Sequence, residues 1–456
     1  MAVVLRFANI EGVIREHFLD LVHVRDTSAL TLKNTIIAVL VDNGLNVQDI
    51  RGQGYDGASN MRGEWNGLKA LILKECPYAY YIHCLAHQLQ LALVAASREV
   101  HEVHNFFQHA NFIVNTVSAS PKRNDELLEN QAAEIASEIE LGELDTGRGA
   151  NQIGSLQRAG GDAGGALKIL LTFDFVFILH LMERIMKITD VLCLKLQHKS
   201  LDIANALDCV SNTKVLLGEL REDGWDNLFE DVKSFCVKHE IDIPDMDQKY
   251  VDVTKSRNKH DNTTVIHHYK VDVFNVAIDQ QVIELNDRFS SHVTELLDLC
   301  SSLDPRHDAF SKSKICRLVE KFYPADFSSQ ERDRLECELP HFQLDTFNHP
   351  EIKNCKSLAD LTKGIVKTGK SSDYPMVERL LRLVITLPVS TATAERAFSA
   401  MKLVKTRLRS KMGDDFLCHC TLVYIEKELA AKFSSEEIID IFDTGARKAE
   451  FKLIEM

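Results

Sequence analysis

The sequence VQDIRGQGYDG, residues 47–57, lies at the centre of the N-terminal part of the chain and sets its predicted fold class. Its first four residues are apolar at both ends, which predicts a strand, and Gly52, Gly54 and Gly57 predict a loop. Strand and helix patterns alternate on both sides of this stretch. The predicted elements are strands at Ala2–Phe7 and His17–Val24, a helix at Thr31–Asp42, a strand at Val47–Ile50, a helix at Gly67–Lys74, a strand at Tyr78–His83 and a helix at Leu85–Gln108. This order indicates an α/β layer.

The composition is that of an acidic globular chain. The 456 residues include 53 Lys and Arg against 67 Asp and Glu, a formal net charge of −14, and 45% of them are hydrophobic. The acidic balance argues against nucleic-acid binding over the whole surface, because phosphate contacts need clustered cations. Eleven scattered cysteines without a CxxC pair predict a reduced, intracellular protein that is not secreted. Charges interrupt the apolar stretch Ala166–Met182, which therefore predicts a buried helix and no membrane span.

The rest of the chain is predicted to be helical, apart from a polar, glycine-rich stretch at 118–165. Helical periodicity runs through 167–240 and returns in shorter segments further on. The later predicted helices are Phe274–Leu303, Lys312–Phe322, Gln330–Glu338, Tyr374–Thr386, Thr391–Arg409, Asp414–Lys432 and Glu436–Phe442.

Gly52, Gly54 and Gly57 match the GxGxxG pattern of dinucleotide-binding loops. The match is weak, because the carboxylate of Asp56 within the loop would repel a pyrophosphate. Asp56 itself has two interpretations. A carboxylate at the end of a strand is well placed to hold a divalent metal, whereas Asp-Gly and Ser-Asn pairs are typical of a turn. The local sequence favours the turn.

The pairs Cys84/His87 and His101/His104 have the residue types of a zinc site. On one continuous helix the two pairs would be about 25 Å apart, at 1.5 Å per residue. They could not share an ion, so we predict a buried Cys84 and a hydrogen-bonded His87 instead of zinc.

The sequence LPVSTATAERAFS, residues 387–399, predicts the start of a helix capped by Ser390 or Thr391. Glu395 falls in its first turns, where the helix dipole favours a carboxylate. A basic run follows, and such a run is usually a solvated helix face, although it can also meet phosphates. Its members are Lys402, Lys405, Arg407, Arg409 and Lys411.

Three stretches together resemble the hAT superfamily of DNA transposases, in particular domesticated plant proteins related to the TTF- and MYM-type zinc-finger proteins. They are GQGYDGASNM (52–61), HCLAHQLQL (83–91), and the segment from YP (374–375) through LPVSTATAERAFSAM (387–401) to KTRLR (405–409). The resemblance implies an RNase H-like core split by a large all-helical insertion, with C-terminal dimerisation helices. It divides the chain into 1–117, the first part of the core without its first strand; 118–340, the insertion; and 341–456, the dimerisation region that completes the core.

The resemblance also implies site residues. Asp56 and Glu395 match the family's second and third acids, which together with a first Asp hold two Mg²⁺ or Mn²⁺ ions for strand cleavage and transfer. Cys84 and His87 match the family's Cys-x-x-His motif beside the active site. The candidates for facing DNA are Lys402, Lys405, Arg407 and Arg409.

Two departures from the family pattern argue against catalysis. The family's first catalytic Asp precedes the segment that resembles Met1–Leu5, and the DNA-binding zinc finger of relatives has no counterpart in the sequence. Gly160 leads into a glycine-rich run where relatives carry an Arg-Trp-Ser segment, which indicates an internal deletion near 160–165. We therefore expect no resident cofactor and no active transposase. The alternatives are a metal-dependent transposase or nuclease in which Asp20 or Asp42 replaces the first acid, and a non-catalytic DNA-binding regulator.

Self-association is the property predicted to remain. The C-terminal helices are more apolar than one buried face requires, which indicates burial either in a partner or in the protein's own core. The predicted partner is a second copy or a related hAT-like protein, with weakened DNA binding, no membrane contact and a nuclear location. The predicted dimerisation residues are Leu380, Leu383, Val384, Phe398, Leu417, Leu422 and Ile425.

Overall fold

A computed structural model gives the fold of residues 1–122, 162–251, 263–290, 294–304, 310–406 and 411–444, together with the single residues 124, 125, 129 and 409. These parts of the chain are mostly helical, with small sheets. The strands are β1 (Ala2–Ala8), β2 (Ile14–Leu21), β3 (Gly52–Tyr55) and β4 (Tyr80–His83).

The helices fall before and after the long gap in the described residues. The first group is α1 (Ala29–Asp42), α2 (Ser59–Arg62), α3 (Leu68–Glu75), α4 (Leu85–Glu99) and α5 (His101–Ser118). The second group is α6 (Asp162–Leu170), α7 (Phe173–Leu196), α8 (Ile203–Asp223), α9 (Trp225–Lys238), α10 (Val265–His267), α11 (Val276–Ser290), α12 (Thr294–Ser301), α13 (Lys312–Phe322), α14 (Ser329–Asn348), α15 (Leu358–Lys367), α16 (Pro375–Ile385), α17 (Ala392–Val404), α18 (Asp414–Ile425), α19 (Lys427–Ala430) and α20 (Ser435–Thr444). A π-helical segment, His268–Asn275, joins α10 to α11.

The strands form two separate two-stranded sheets in the described ranges. β1 and β2 pair antiparallel, with Ala2 opposite Leu21. β3 and β4 pair parallel, with Gly52 opposite Tyr80. The structure agrees with the predicted α/β class to the extent that it combines helices with small sheets. The four strands do not join into one continuous core sheet.

The β1–β2 hairpin turns at Gly12, whose φ of +72° favours glycine. A Cβ at this position would lie 3.0 Å from the carbonyl oxygen of Thr362 and 3.1 Å from Val366 Cγ2. The turn therefore approaches α15 closely. Ile14 and Phe18 of β2 are buried, so one face of the hairpin contributes to the core.

Two elements predicted in the N-terminal part are wrong. The predicted strand Val47–Ile50 is a 3₁₀ turn at Val47–Asp49, and the strand is the glycine-rich run Gly52–Tyr55 itself. The predicted helix Leu85–Gln108 is two helices, because Val100 has extended backbone between them, with φ −102° and ψ 110°.

The chain divides into two compact units. Unit 1 contains Met1–Gln88, Cys193–Cys209 and Ser290–Met456, and unit 2 contains Leu89–Leu192 and Val210–Phe289. These bounds differ from the boundaries predicted after residues 117 and 340.

Contacts within unit 1 explain why residues beyond 290 belong with the N-terminal strands. The hydroxyl of Tyr80 donates to the carbonyl oxygen of Phe322 at 2.8 Å. Arg51 forms a two-pronged ion pair with Asp326, with both N···O distances at 2.8 Å. Helix α14 also continues through Pro340, where the sequence predicted a boundary. Residues 157–161, beside the predicted deletion, lie outside the described residues.

Arg6 joins three parts of unit 1. Its guanidinium donates to Glu16 Oε1 at 2.7 Å and to the carbonyl oxygens of Leu201 at 2.6 Å and Ile385 at 3.2 Å. The side chains of Arg6 and Glu16 are each 9% exposed. Burial lowers the pKa of Arg6 below its usual value, and the adjacent Glu16 carboxylate opposes that effect. The hydroxyl of Thr393 also donates to Glu16, so this buried pair fixes α17 to the hairpin.

Unit 2 is built on a cluster of aromatic side chains. The ring centroids of Phe177 and Tyr269 are 4.9 Å apart, and those of Trp225 and Phe274 are 5.6 Å apart. The Tyr269 hydroxyl donates to Asp174, which satisfies the polar end of this ring. Within the described ranges, no helix has the length and apolar character needed to cross a membrane.

Candidate functional site

The glycines of β3 permit close approach of the segment before α17. A Cβ on Gly52 would lie 2.7 Å from Pro388 Cδ, and one on Gly54 would lie 2.8 Å from Pro388 Cβ. A Cβ on Gly57 would lie 2.8 Å from the ring of His83. These distances are shorter than real contacts, so each glycine has a structural reason that involves no dinucleotide.

Asp56 follows β3 directly and lies beside the start of α4. The N–H of Cys84 donates to the carbonyl oxygen of Tyr55 at 3.0 Å. Asp56 Oδ1 accepts the N–H of Ala58 at 3.3 Å, which is the turn that the local sequence favoured. The hydroxyl of Tyr81 donates to the carbonyl oxygen of Asp56 at 3.1 Å. The loop that carries Asp56 is therefore held by α4 and β4.

Thr391 joins the Cys-x-x-His segment to Glu395. Its N–H donates to Cys84 Sγ at 3.2 Å, and its hydroxyl donates to Glu395 Oε1 at 3.0 Å. The same hydroxyl lies 3.5 Å from His87 Nδ1, and His87 Nδ1 is 3.7 Å from Glu395 Oε1. The N–H of Leu85 also donates to the carbonyl oxygen of Val389 at 2.9 Å.

These contacts bring Cys84, His87 and Glu395 together around a threonine that the sequence interpretation treated only as a helix cap. Cys84 is 1% exposed, whereas the side chain of Glu395 is 59% exposed. The cluster therefore has a buried thiol at its base and a carboxylate at its open side.

Aromatic rings pack beside Asp56. The ring centroids of Tyr55 and Tyr81 are 5.9 Å apart, and those of Tyr81 and His83 are 6.5 Å apart. Burial raises the pKa of Tyr55 above its usual value. Burial also raises the pKa of Tyr81 to about 12, and the nearby Asp56 carboxylate adds to that effect. Both phenols stay protonated at neutral pH, so Tyr81 acts as a hydrogen-bond donor.

Asp20 and Asp42, the carboxylates considered as replacements for the first acid, lie on β2 and α1. Asp20 accepts the thiol of Cys418 at 2.9 Å, and Asp42 is exposed at the end of α1. Across the described ranges, no group of three or more His, Cys, Asp or Glu side chains is arranged to hold a metal ion.

Three of the seven predicted dimerisation residues are buried in the protein itself. Leu380 and Val384 are 0% exposed and Leu417 is 6% exposed. The half-buried residues are Leu383, Leu422 and Ile425. Phe398, at 41%, is the most exposed of the seven. Leu380, Val384 and Leu417 therefore pack within the chain's own core, and the part that the seven residues play in a dimer stays a prediction.

A second set of apolar side chains on the same helices faces outward. On α18, Phe416 is 62% exposed, Val423 is 58% and Tyr424 is 52%. We refer to these three residues as the exposed face of α18. The neighbouring side of this helix, which carries Leu417 and Thr421, is buried. The sequence carried a signal for this surface, because a helix that is apolar all round needs cover on every side.

The basic run lies on the surface where the structure describes it. Lys402, Lys405 and Arg409 are exposed. Arg407 lies outside the described residues. Their contact with DNA stays a prediction.

Comparison with protein families gives two matches, one near each end of the chain. Residues 1–67 match the ZMYM1/FAM200 RNase-like domain. Residues 364–429 match the hAT family C-terminal dimerisation region. Both are consistent with a hAT transposase-derived protein. The resemblance inferred from the three sequence motifs is therefore confirmed.

The two matched regions meet in unit 1. The first contains Asp56 and the second contains Glu395. Arg382 in the second region donates to the carbonyl oxygens of Asn9 and Ile10 in the first. The hAT-type dimerisation region thus rests on the RNase-like segment. The exposed face of α18 belongs to the dimerisation region as well.

Proposed function

We propose that this hAT-derived protein acts by self-association through its C-terminal helices and does not itself cut or join DNA strands. The supporting observation is the exposed face of α18 within the matched dimerisation region. The proposed partner is a second copy or a related hAT-like protein, and the proposed location is the nucleus, as the resemblance implies.

The size of the apolar surface supports a partner contact. Phe416, Val423 and Tyr424 each expose more than half of their accessible surface, and Leu403 and Phe433, which flank α18 in the sequence, are 63% and 62% exposed. Single exposed apolar residues are ordinary on proteins, whereas a contiguous group marks an interaction site. A second copy would cover the same patch on both chains, since most homodimers have two-fold symmetry.

The arrangement around Asp56 supports the absence of catalysis. Two-metal strand transfer needs carboxylates that converge on both ions. In this protein Asp56 holds its own turn and Glu395 accepts from Thr391. We derive no reaction step from these residues.

Light scattering on the purified chain over a concentration series tests self-association, with Val423→Asp as the disrupting variant. Val423 and Val215 are both 58% exposed and both lie within helices, so Val215→Asp on α8 is a matched control. Burying the exposed part of a valine contributes about 1 kcal/mol, or about 2 kcal/mol over two copies, which predicts a roughly 30-fold weaker dimer. A monomer at micromolar concentration, or equal weakening by both variants, contradicts the proposal.

A metal-dependent strand-cutting enzyme is the second candidate, because Asp56 and Glu395 are linked through Tyr55, Cys84 and Thr391. Incubation with Mg²⁺ or Mn²⁺ and a duplex carrying a terminal repeat tests it. Nicking that disappears in Asp56→Ala would establish this candidate and overturn the non-catalytic proposal. Products that are identical in the variant would come from a contaminating nuclease.

A further inference from the structure

Helix α20 lies beyond the matched dimerisation region and presents an unusual surface. Ile438, Ile439 and Phe442 are 56%, 63% and 53% exposed. At 100° per residue these three side chains fall on one half of the helix. Glu436 and Glu437 lie at the two edges of that apolar half. The helix therefore offers an apolar strip bordered by carboxylates.

The start of α20 is fixed by local hydrogen bonds. The N–H of Ser434 donates to Glu437 Oε2 at 2.8 Å, and the N–H of Glu437 donates to Ser434 Oγ at 3.2 Å. This reciprocal arrangement is a capping box, which satisfies two N–H groups at a helix start. These bonds also lower the pKa of Glu437 below its usual value. The start of α20 is thus fixed by hydrogen bonds within its own segment of the chain.

A complementary surface lies at the end of α17 and on α18. Residues 402–411 contain five Lys or Arg and no Asp or Glu, whereas residues 433–444 contain four Asp or Glu and no Lys or Arg. Lys402 and Lys405 are exposed and precede the exposed face of α18 in the chain. The first surface is apolar with a net positive charge, because Asp414 and Asp415 at the start of α18 offset two of the five cations, and the other is apolar and acidic.

We propose that α20 of one copy docks on the exposed face of α18 of a second copy, with its carboxylates toward Lys402 and Lys405, and that the contact is reciprocal. This inference rests on the proposed self-association and names the element that carries it. Within one chain, the apolar strip of α20 and the exposed face of α18 both remain open to solvent. Each surface therefore has its complement on the other copy, as an interface with two-fold symmetry requires.

Charge exchange on the full-length chain tests the pairing. Glu436→Lys places like charges opposite each other at both halves of the dimer, and so does Lys405→Glu. Each variant alone is expected to raise the dimer dissociation constant roughly tenfold at low salt, because two attractive contacts become repulsive. A mixture of the two variants restores attraction at both halves. We expect the mixed dimer to form with the affinity of the unaltered protein.

The control and the readouts separate the outcomes. Glu219→Lys on α8, which is also exposed, makes the same change in net charge away from the surface. Sedimentation of differently labelled variants measures both the homodimers and the mixed dimer. Restoration in the mixture supports the pairing. Homodimers as tight as the unaltered dimer overturn it and leave self-association intact, whereas an unaltered protein that stays monomeric overturns the proposed function itself.

The basic run could instead bind DNA, and one of the same variants tests this alternative. Lys405→Glu is assayed for binding to nonspecific duplex DNA over a range of salt concentrations. Loss of salt-dependent DNA binding, with an unchanged dimer, assigns the basic run to DNA and overturns the α20 contact.

Discussion

Replacing Arg6 by methionine tests the buried ion pair that joins the hairpin to the dimerisation region. Methionine keeps most of the side-chain volume and removes the guanidinium. Glu16, at 9% exposure, then loses its cationic partner in a site that water barely reaches. The carbonyl oxygens of Leu201 and Ile385 lose their donors as well.

The expected cost follows from the burial of both partners. Removing one member of a buried ion pair costs about 3–5 kcal/mol, because an uncompensated charge remains. Glu16→Gln leaves the buried guanidinium without its counter-charge, although the amide oxygen and the carbonyl oxygens still accept from it, so its expected cost is at the low end of that range, about 3 kcal/mol. The double variant has no buried unpaired charge. We therefore expect Arg6→Met with Glu16→Gln to be more stable than Arg6→Met alone, by about 1–2 kcal/mol.

Urea unfolding followed by far-UV circular dichroism measures these differences, and hydrogen exchange of hairpin peptides reports on unit 1 by itself. The exposed pair Arg317–Glu295, with side chains 65% and 37% exposed, provides the control. Arg317→Met should cost less than about 1 kcal/mol. Additive effects of Arg6→Met and Glu16→Gln would show that the two groups are not coupled, and would refute this reasoning.

Further predictions concern Glu331, Gly54 and Glu338 in unit 1, with Gly218 of unit 2 as a comparison. Hydrogen bonds lower the pKa of Glu331 from its usual 4.5 to about 2. The contribution of this carboxylate to stability should therefore be complete above pH 4.5 and be lost as the pH falls from 4.5 toward about 2. The difference in urea midpoint between Glu331→Gln and the unaltered protein should vanish over that interval. Gly54→Ala places a Cβ against Pro388 and should cost about 1–3 kcal/mol, whereas Gly218→Ala, with no atom within 4 Å, should stabilise its helix by roughly 0.5–1 kcal/mol in thermal unfolding. Glu338 accepts the N–H groups at the start of α16 at 2.9 and 3.1 Å, so Glu338→Gln should cost about 1–2 kcal/mol and speed hydrogen exchange at that helix start.

The periodic elements of the fold could be predicted from the sequence. The first strand and the helix from Lys312 to Phe322 follow from local patterns, and the structure has them there. The second strand begins three residues earlier than predicted, at Ile14. The strand at Gly52–Tyr55 could not be predicted in this way, because glycine is a poor strand former. Glycine is required in this strand because Pro388, which is distant in sequence, packs directly against it. The helix break at Val100 could not be predicted either, because no proline or glycine lies at this position.

The candidate site was predictable only through the family resemblance. No local pattern relates Asp56 to Glu395, and Thr391, which links Cys84 to Glu395, was interpreted only as a helix cap. The interface could not be predicted from the predicted dimerisation residues, for a different reason. Apolar density in α16 indicates burial, but it does not say whether the cover is a partner or the same chain. Leu380 and Val384 are covered by the same chain.

The N-terminal strands determine which side of α18 is left for a partner. The N–H of Phe18 on β2 donates to Glu426 Oε1 at 2.8 Å, and the thiol of Cys418 donates to Asp20, also on β2. These contacts fix one side of α18 to the hairpin and leave Phe416 and Val423 outside. A fragment limited to the dimerisation region would expose both sides of the helix, and its association would no longer be restricted to one face. The proposed self-association through a single face of α18 therefore depends on the RNase-like segment as a platform.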